Sequence, residues 1–200
     1  MADTTAVVNL ENDAGFFPCF MSGSWGYNRT GTSVADFNND GYLDIITPGF
    51  EYRTDTITTY YFWDVQNNTV SKFRDPTYNW QYGAGRPNLA DMDGDGQLEA
   101  SFVSGNYLYC LDNDWTILWR VPITETTSGN TGSTVFDFNG DGAVEVVYRD
   151  EVFLYIINGT DGTILQSRPC VSLTWTEYPF VADVDGDGAT EICVTCMVDG

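Results

Sequence analysis

Short segments dominated by Val, Ile, Tyr, Phe, Trp and Thr alternate along this chain with clusters of Asp, Asn and Gly. The turn signals come every ten residues or so, and no stretch sustains the 3.6-residue apolar period of an amphipathic helix. The pattern predicts an all-β protein. Its clearest stretch lies between residues 132 and 169. There "GSTVFDFN" predicts a short strand running into an acidic loop, and "AVEVVYRD" a strand leaving it. "EVFLYIING" predicts a third strand, "TDG" a turn and "TILQSRP" a fourth.

The same order recurs upstream. "QLEASFVSG", "NYLYCLD", a turn at Asn113 and Asp114, and "TILWRVP" repeat it. "YLDIITPG" followed by the longer "ITTYYFWDVQNNTVSKFRD" repeats it again. Each unit is headed by one short phrase: "DFNNDGYLD" at 36–44, "DMDGDGQLE" at 91–99, "DFNGDGAVE" at 137–145 and "DVDGDGATE" at 183–191. The starts are 55, 46 and 46 residues apart, a fixed-period self-similarity that signals a repeat architecture. Four strands per unit, joined by hairpin-length connections, predict the blades of a β-propeller. The whole of 1–200 is then one propeller of about four repeats, either a closed small ring or part of a larger propeller. After the fourth phrase only "EICVTCMVDG" remains, so that blade lacks its outer two strands. Residues 1–22, with "TTAVVNL" and "GFFPCF", are expected to be outer strands of a shared or closing blade. A piece of a longer array is favoured, because the chain breaks off just after another Asp-Gly.

Composition narrows the function. With 200 residues and 42% hydrophobic content, a substantial core can be buried. The formal charge of −21 excludes a nucleic-acid partner, since nothing here would neutralise phosphates. No apolar run approaches the roughly 20 residues of a membrane span, so no membrane insertion is expected. "MADTTAVVNLENDAG" has neither the basic nor the apolar region of a signal peptide. Of the five cysteines, Cys193 and Cys196 form a lone C-x-x-C on a strand pattern, which argues against zinc. Buried thiols with one or two disulfides are expected instead. Sequons at Asn28, Asn67 and Asn158 permit glycosylation.

Half of the 29 acidic residues sit in the four phrases, where their repulsion must be offset locally. Counting from the first Asp, oxygen-bearing side chains fall at positions 1, 3, 5 and 9, with Gly at 6. A hard cation needs six to eight oxygens at about 2.3–2.6 Å on a loop that curls around it. The side-chain ligands expected are Asp36, Asn38, Asp40 and Asp44; Asp91, Asp93, Asp95 and Glu99; Asp137, Asn139, Asp141 and Glu145; and Asp183, Asp185, Asp187 and Glu191. The carbonyls of Tyr42, Gln97, Ala143 and Ala189 are the candidate backbone ligands at position 7. The closing acid at 9 rather than 12, with a strand after it, excludes an EF-hand. An all-oxygen set in a chain without histidine favours Ca²⁺, up to four ions, over zinc or copper. A polar turn that binds nothing accounts for Gly and one Asp, but not for four oxygens in register four times over. The loops at 36 and 137 carry Asn at position 3 and are expected to bind more weakly.

The D-x-[DN]-x-D-G-x-x-[DE] loop between two strands, repeated once per blade, resembles the FG-GAP/VCBS-type repeats of integrin α-chain heads and secreted bacterial proteins. "STVFDFNGDGAVEVVYRDEVFLYIINGTDGTIL" and "EYPFVADVDGDGATEI" are similar to the bacterial form. The resemblance implies calcium in the loop between the first two strands of each blade, and an extracellular or cell-surface setting. Clear Phe-Gly and Gly-Ala-Pro signatures are absent, with "YGAGRP" at 82–87 a loose echo. The function expected is a non-catalytic scaffold for adhesion, for ligand or carbohydrate binding, or for assembly of a surface structure. Its partners are a protein or carbohydrate at a cell surface, or copies of itself. Trp25, Trp80 and Trp175, in segments leading into the loops, are candidates for ligand contact; core packing is expected for most other aromatics. The alternative is a calcium-dependent polysaccharide lyase of rhamnogalacturonan type, with Arg86, Arg120 and Arg149 as candidate bases. Carboxylates repeated identically in every blade argue against it, because an active site breaks symmetry.

Overall fold

The computed structural model describes residues 31–50, 58–74, 85–125, 131–172 and 178–197. Fourteen strands lie in these stretches, grouped into three four-stranded antiparallel sheets and one of two strands. The first blade is β1 (Ser33–Ala35), β2 (Asp44–Phe50), β3 (Thr58–Asp64) and β4 (Thr69–Phe73). The second is β5 (Asn88–Ala90), β6 (Glu99–Ser104), β7 (Tyr107–Leu111) and β8 (Ile117–Pro122). The third is β9 (Thr134–Phe136), β10 (Glu145–Arg149), β11 (Phe153–Ile157) and β12 (Ile164–Pro169). The fourth holds β13 (Phe180–Ala182) and β14 (Glu191–Cys193). Within each sheet, spatial order follows chain order, as up-and-down blades require.

The short first strands β1, β5, β9 and β13 stand side by side in sequence order and form the inner row. Among the described residues β13 does not return to β1, so these four sheets do not close a ring. The expectation for residues 1–22 falls outside the described residues.

Strand alternation decides what each blade presents to the next. One cluster lies between the first and second blades. It joins Ile46, Tyr60 and Phe62 to Phe102, Tyr109 and Leu111. A second cluster joins Val103, Leu108, Cys110, Trp119 and Val121 of the second blade to Val146, Tyr148 and Ile157 of the third. The third blade's opposite face is different. Trp119 and Val121 of β8 are buried, whereas Gln166 and Arg168, at the matching register positions of β12, are exposed.

Tight turns knit neighbouring blades. The β11–β12 turn lies on the second blade, where the Trp119 indole N–H donates to the Gly159 carbonyl at 2.5 Å. A Cβ on Gly159 would stand 2.0 Å from the Val144 carbonyl oxygen and 2.5 Å from that of Met92. At the other end of the blade, Asp150 ties the β10–β11 turn to the incoming linker. Its Oδ1 accepts from the Val152 and Phe153 amides at 2.8 and 2.7 Å. Its Oδ2 accepts from the Thr124 amide and the Tyr155 hydroxyl at 2.8 and 3.0 Å.

The half-blade is held by a covalent clamp. Cys170, just after β12, is disulfide-bonded to Cys196, just after β14. The Met197 amide adds a hydrogen bond to the Val171 carbonyl at 2.7 Å. Cys193 therefore does not pair with Cys196; it and Cys110 are the free thiols of the described residues. The bridge spans 26 residues, a loop whose closure restricts the unfolded chain by about 3–4 kcal/mol.

Two variants check this architecture. Cys170→Ser should lower unfolding free energy by about 3 kcal/mol in denaturant titration, and reductant should lower the wild type similarly but leave the variant unmoved. Gly159→Ala should cost about 1–3 kcal/mol by overpacking the joint between the second and third blades, read as a fall in melting temperature.

Candidate metal centre

All four acidic phrases form the loop between the first and second strands of a blade. The backbone takes the same path in each. At position 6, Gly41, Gly96, Gly142 and Gly188 have φ near +90°, a region that glycine adopts without steric cost. Position 4 is also left-handed, occupied by Asn39 at +58° and by Gly94, Gly140 and Gly186 at 75–81°. The sequence reading singled out only position 6. The signal at 4 was present as three glycines and an asparagine, the non-glycine residue that best tolerates this conformation.

Side-chain oxygens fold the loop around themselves. The position-1 carboxylate accepts two or more backbone amides. Asp91 takes Gly94 and Gly96 at 2.7 and 3.0 Å, Asp137 and Asp183 take the same two positions, and Asp36 takes Asp40 and Gly41. At position 3, Asn38, Asp93, Asn139 and Asp185 accept from the amide of position 5. At position 5, Asp40, Asp95, Asp141 and Asp187 accept from the amides of Tyr42, Gln97, Ala143 and Ala189. At position 9, Asp44, Glu99, Glu145 and Glu191 each accept from the amide of position 2, at 2.6–3.1 Å. That last bond staples the exit of the first strand to the start of the second.

The loops then divide by the residue at position 3. In the second and fourth, carboxylate oxygens of Asp91, Asp93 and Glu99, and of Asp183, Asp185 and Glu191, all lie within 4.8 Å of one another. Asp95 and Asp187 stand outside those sets; their carboxylates accept from the amides of Gln97 and Ala189. In the third loop the Asn139 amide donates to Glu145 Oε1 at 3.0 Å, placing a hydrogen-bond donor beside the closing acid.

Burial sharpens the contrast. Glu99 is 1% exposed; its Oε2 holds the Met92 amide, but Oε1 has no hydrogen-bond partner. Asp44 is fully buried, and its Oδ1 is likewise unpaired. A buried carboxylate oxygen without a donor costs on the order of 1–3 kcal/mol or more. A cation among the carboxylates is the ligand that such oxygens suit. Burial, reinforced by the charges of Asp93 and Asp95, pushes Glu99 up to about 7 against the pull of the Met92 amide. Burial also raises Asp44.

The remaining candidates are scattered. Trp25, Trp80, Trp175 and Asn28 lie outside the described residues. Trp63 and Trp119 are buried, and Trp115 packs on Phe37 and Phe62 with ring centroids 5.5 and 5.0 Å away. Asn67 is exposed in the β3–β4 turn, its amide donating to Asp64 at 2.8 Å. Asn158 is half-buried in the β11–β12 turn and accepts from the Thr160 amide. Arg149 is buried in β10, Arg120 on β8 covers the Tyr107 ring at 4.6 Å, and Arg86 lies exposed ahead of β5.

Blades of this topology, each headed by an acidic loop, define a β-propeller repeat protein. Residues 137–194, from the first Asp of the third loop to the end of the half-blade, match the family model of the FG-GAP-like repeat. Among solved structures, the chain resembles BBS1N, determined in complex with ARL6DN and soaked with lead. Identity is 12%, coverage is 82% of this chain and 51% of that one, and the TM-score is 0.53. It also matches the Vibrio cholerae biofilm matrix protein Bap1 at 19% identity, over 74% of this chain and 30% of that one, with a TM-score of 0.42. The chain thus spans about half and under a third of those two lengths. No curated protein matches it.

The raised Glu99 value sets a pH dependence for the metal-free protein. A carboxylate whose folded value exceeds its unfolded one binds more protons when folded, so stability falls as pH rises between about 4.5 and 7. In chelator, the melting temperature should drop across that interval, and Glu99→Gln should flatten the drop.

Proposed function

We propose that this chain is a calcium-rigidified, non-catalytic propeller scaffold that works outside the cell. It holds a protein or carbohydrate ligand, or copies of itself, in a surface structure. The observation that carries the reading is the unpaired Glu99 Oε1, buried in a loop where two further carboxylates come within 4.8 Å. Such a set is repulsive alone and cohesive around a divalent cation. The oxygen-only donors suit Ca²⁺, with Asp91, Asp93 and Glu99 in the second loop and Asp183, Asp185 and Glu191 in the fourth as its principal holders. The first and third loops, with Asn38 and Asn139, bind more weakly.

The extracellular setting is supported by the Cys170–Cys196 disulfide, a bond that persists in oxidising compartments. Among the described residues no helix is long and apolar enough to cross a membrane. The absence of catalysis is supported by the carboxylates serving each blade alike. It is supported too by Arg86, Arg120 and Arg149 falling on an inner row, an outer strand and a buried second strand.

Calcium titration followed by calorimetry and melting tests the reading. One site at a hundredfold excess over its Kd should raise the melting temperature by roughly 5–10 °C, and EDTA should reverse it. Unchanged melting in EDTA would sink the proposal. Asp93→Asn should weaken a tight site by at least tenfold, whereas Asn139→Asp should add one.

A further inference from the structure

The inner row carries a second pattern, independent of the acidic loops. Five residues ahead of each loop stand Gly31, Arg86, Gly132 and Tyr178, so glycine alternates with a large side chain from blade to blade. The alternation is steric. A Cβ on Gly31 would lie 3.0 Å from Arg86 Cδ, so the second blade's arginine stem rests across the first blade's glycine. A Cβ on Gly132 would lie 1.8 Å from Tyr178 Cε1, so the fourth blade's tyrosine ring rests across the third blade's glycine. Tyr178 reaches on to the second blade, where its hydroxyl accepts a hydrogen bond from the Arg86 amide. Residues from four blades thus meet on the rim, with the Tyr178 hydroxyl at the Arg86 backbone and the Arg86 stem reaching across Gly31.

Both groups face solvent. Arg86 is exposed, and no carboxylate of the described residues pairs with it, in a chain of net charge −21. Tyr178 is 39% exposed, with its hydroxyl turned inward and ring surface left bare. The three-residue strands β5 and β13 separate this rim from the acidic loops by roughly 10 Å, somewhat more than the Debye length of about 8 Å at physiological salt. Salt therefore weakens the loops' charge at the rim.

We infer that Arg86 and Tyr178, seated over Gly31 and Gly132, form a binding site for a carboxylate-bearing sugar. The guanidinium fork takes the carboxylate in two parallel hydrogen bonds, and the ring packs against the C–H face of the pyranose. Uronic-acid residues present both features on one ring. A peptide carboxylate offers the first without the second. The site does not rest on cation binding by the loops, beyond the need for a folded protein.

The test uses the full chain in calcium-containing buffer, with folding checked by melting temperature. The probes are a glucuronate-terminated disaccharide, its carboxyl-reduced counterpart and an Asp-Glu dipeptide, titrated by NMR. The acidic sugar should bind at least tenfold more tightly than the other two. Arg86→Gln should abolish that preference, and Tyr178→Ala should weaken the acidic sugar at least fivefold. Arg120→Gln, which changes net charge equally but stands on an outer strand, should leave binding unchanged. Gly132→Ala should displace the ring and mimic Tyr178→Ala. Equal binding of the acidic and reduced sugars, equal binding of the dipeptide, or the same loss in Arg120→Gln as in Arg86→Gln overturns the assignment.

Discussion

In every blade, the carboxylate that opens the second strand accepts a hydrogen bond from the backbone amide just beyond the first Asp of the loop. This bond joins local loop chemistry to the packing of whole blades. It fixes the residue at position 2, and in the first two blades that residue's side chain points into the joint with the following blade. Phe37 packs between Phe62 and Trp115, and Met92 enters the cluster of Cys110, Trp119 and Val121. Both are fully buried. An acid that serves a candidate cation loop therefore also sets the anchor of an apolar interface, so the two cannot be altered independently.

The loops share a backbone path but not a charge state. Asp at position 3 yields a converging triad in the second and fourth loops. Asn in the third supplies a hydrogen-bond donor to the closing acid instead. Between the second and third loops, a one-atom exchange, oxygen for nitrogen, goes with a closing acid left bare in one and covered in the other. The first loop shows that Asn alone does not decide this: it carries Asn38, yet the Oδ1 of its shorter closing acid Asp44 is unpaired.

Much of this was legible in the sequence. Period-2 segments and the 46-residue spacing located the blades, and DxDxDG grammar located the loops, because turn geometry and side-chain chemistry are both local. Long-range contacts were not. Nothing in the spacing distinguished Cys196 as the partner of Cys170 from Cys196 as half of a C-x-x-C. Asp95 and Asp187 look equivalent to their neighbours on paper, yet neither joins the converging carboxylate set of its loop. The resting place of Tyr178 over Gly132 depends on two blades 46 residues apart, and only the alternation of glycine with bulk hinted at it.

The burial of position 2 declines along the chain. Phe37 and Met92 are closed off, Phe138 is half-buried, and Val184 is 57% exposed. Each of the first two is covered by a turn belonging to the following blade. Trp115 of the β7–β8 turn packs on Phe37, and the β11–β12 turn lies on Met92 while its Gly159 carbonyl accepts the Trp119 indole N–H of the second blade. Opening the third blade's outer turn would therefore uncover Met92 and free the Trp119 indole in one event. Apolar cover and hydrogen bond are lost together, so each joint fails as a unit rather than contact by contact.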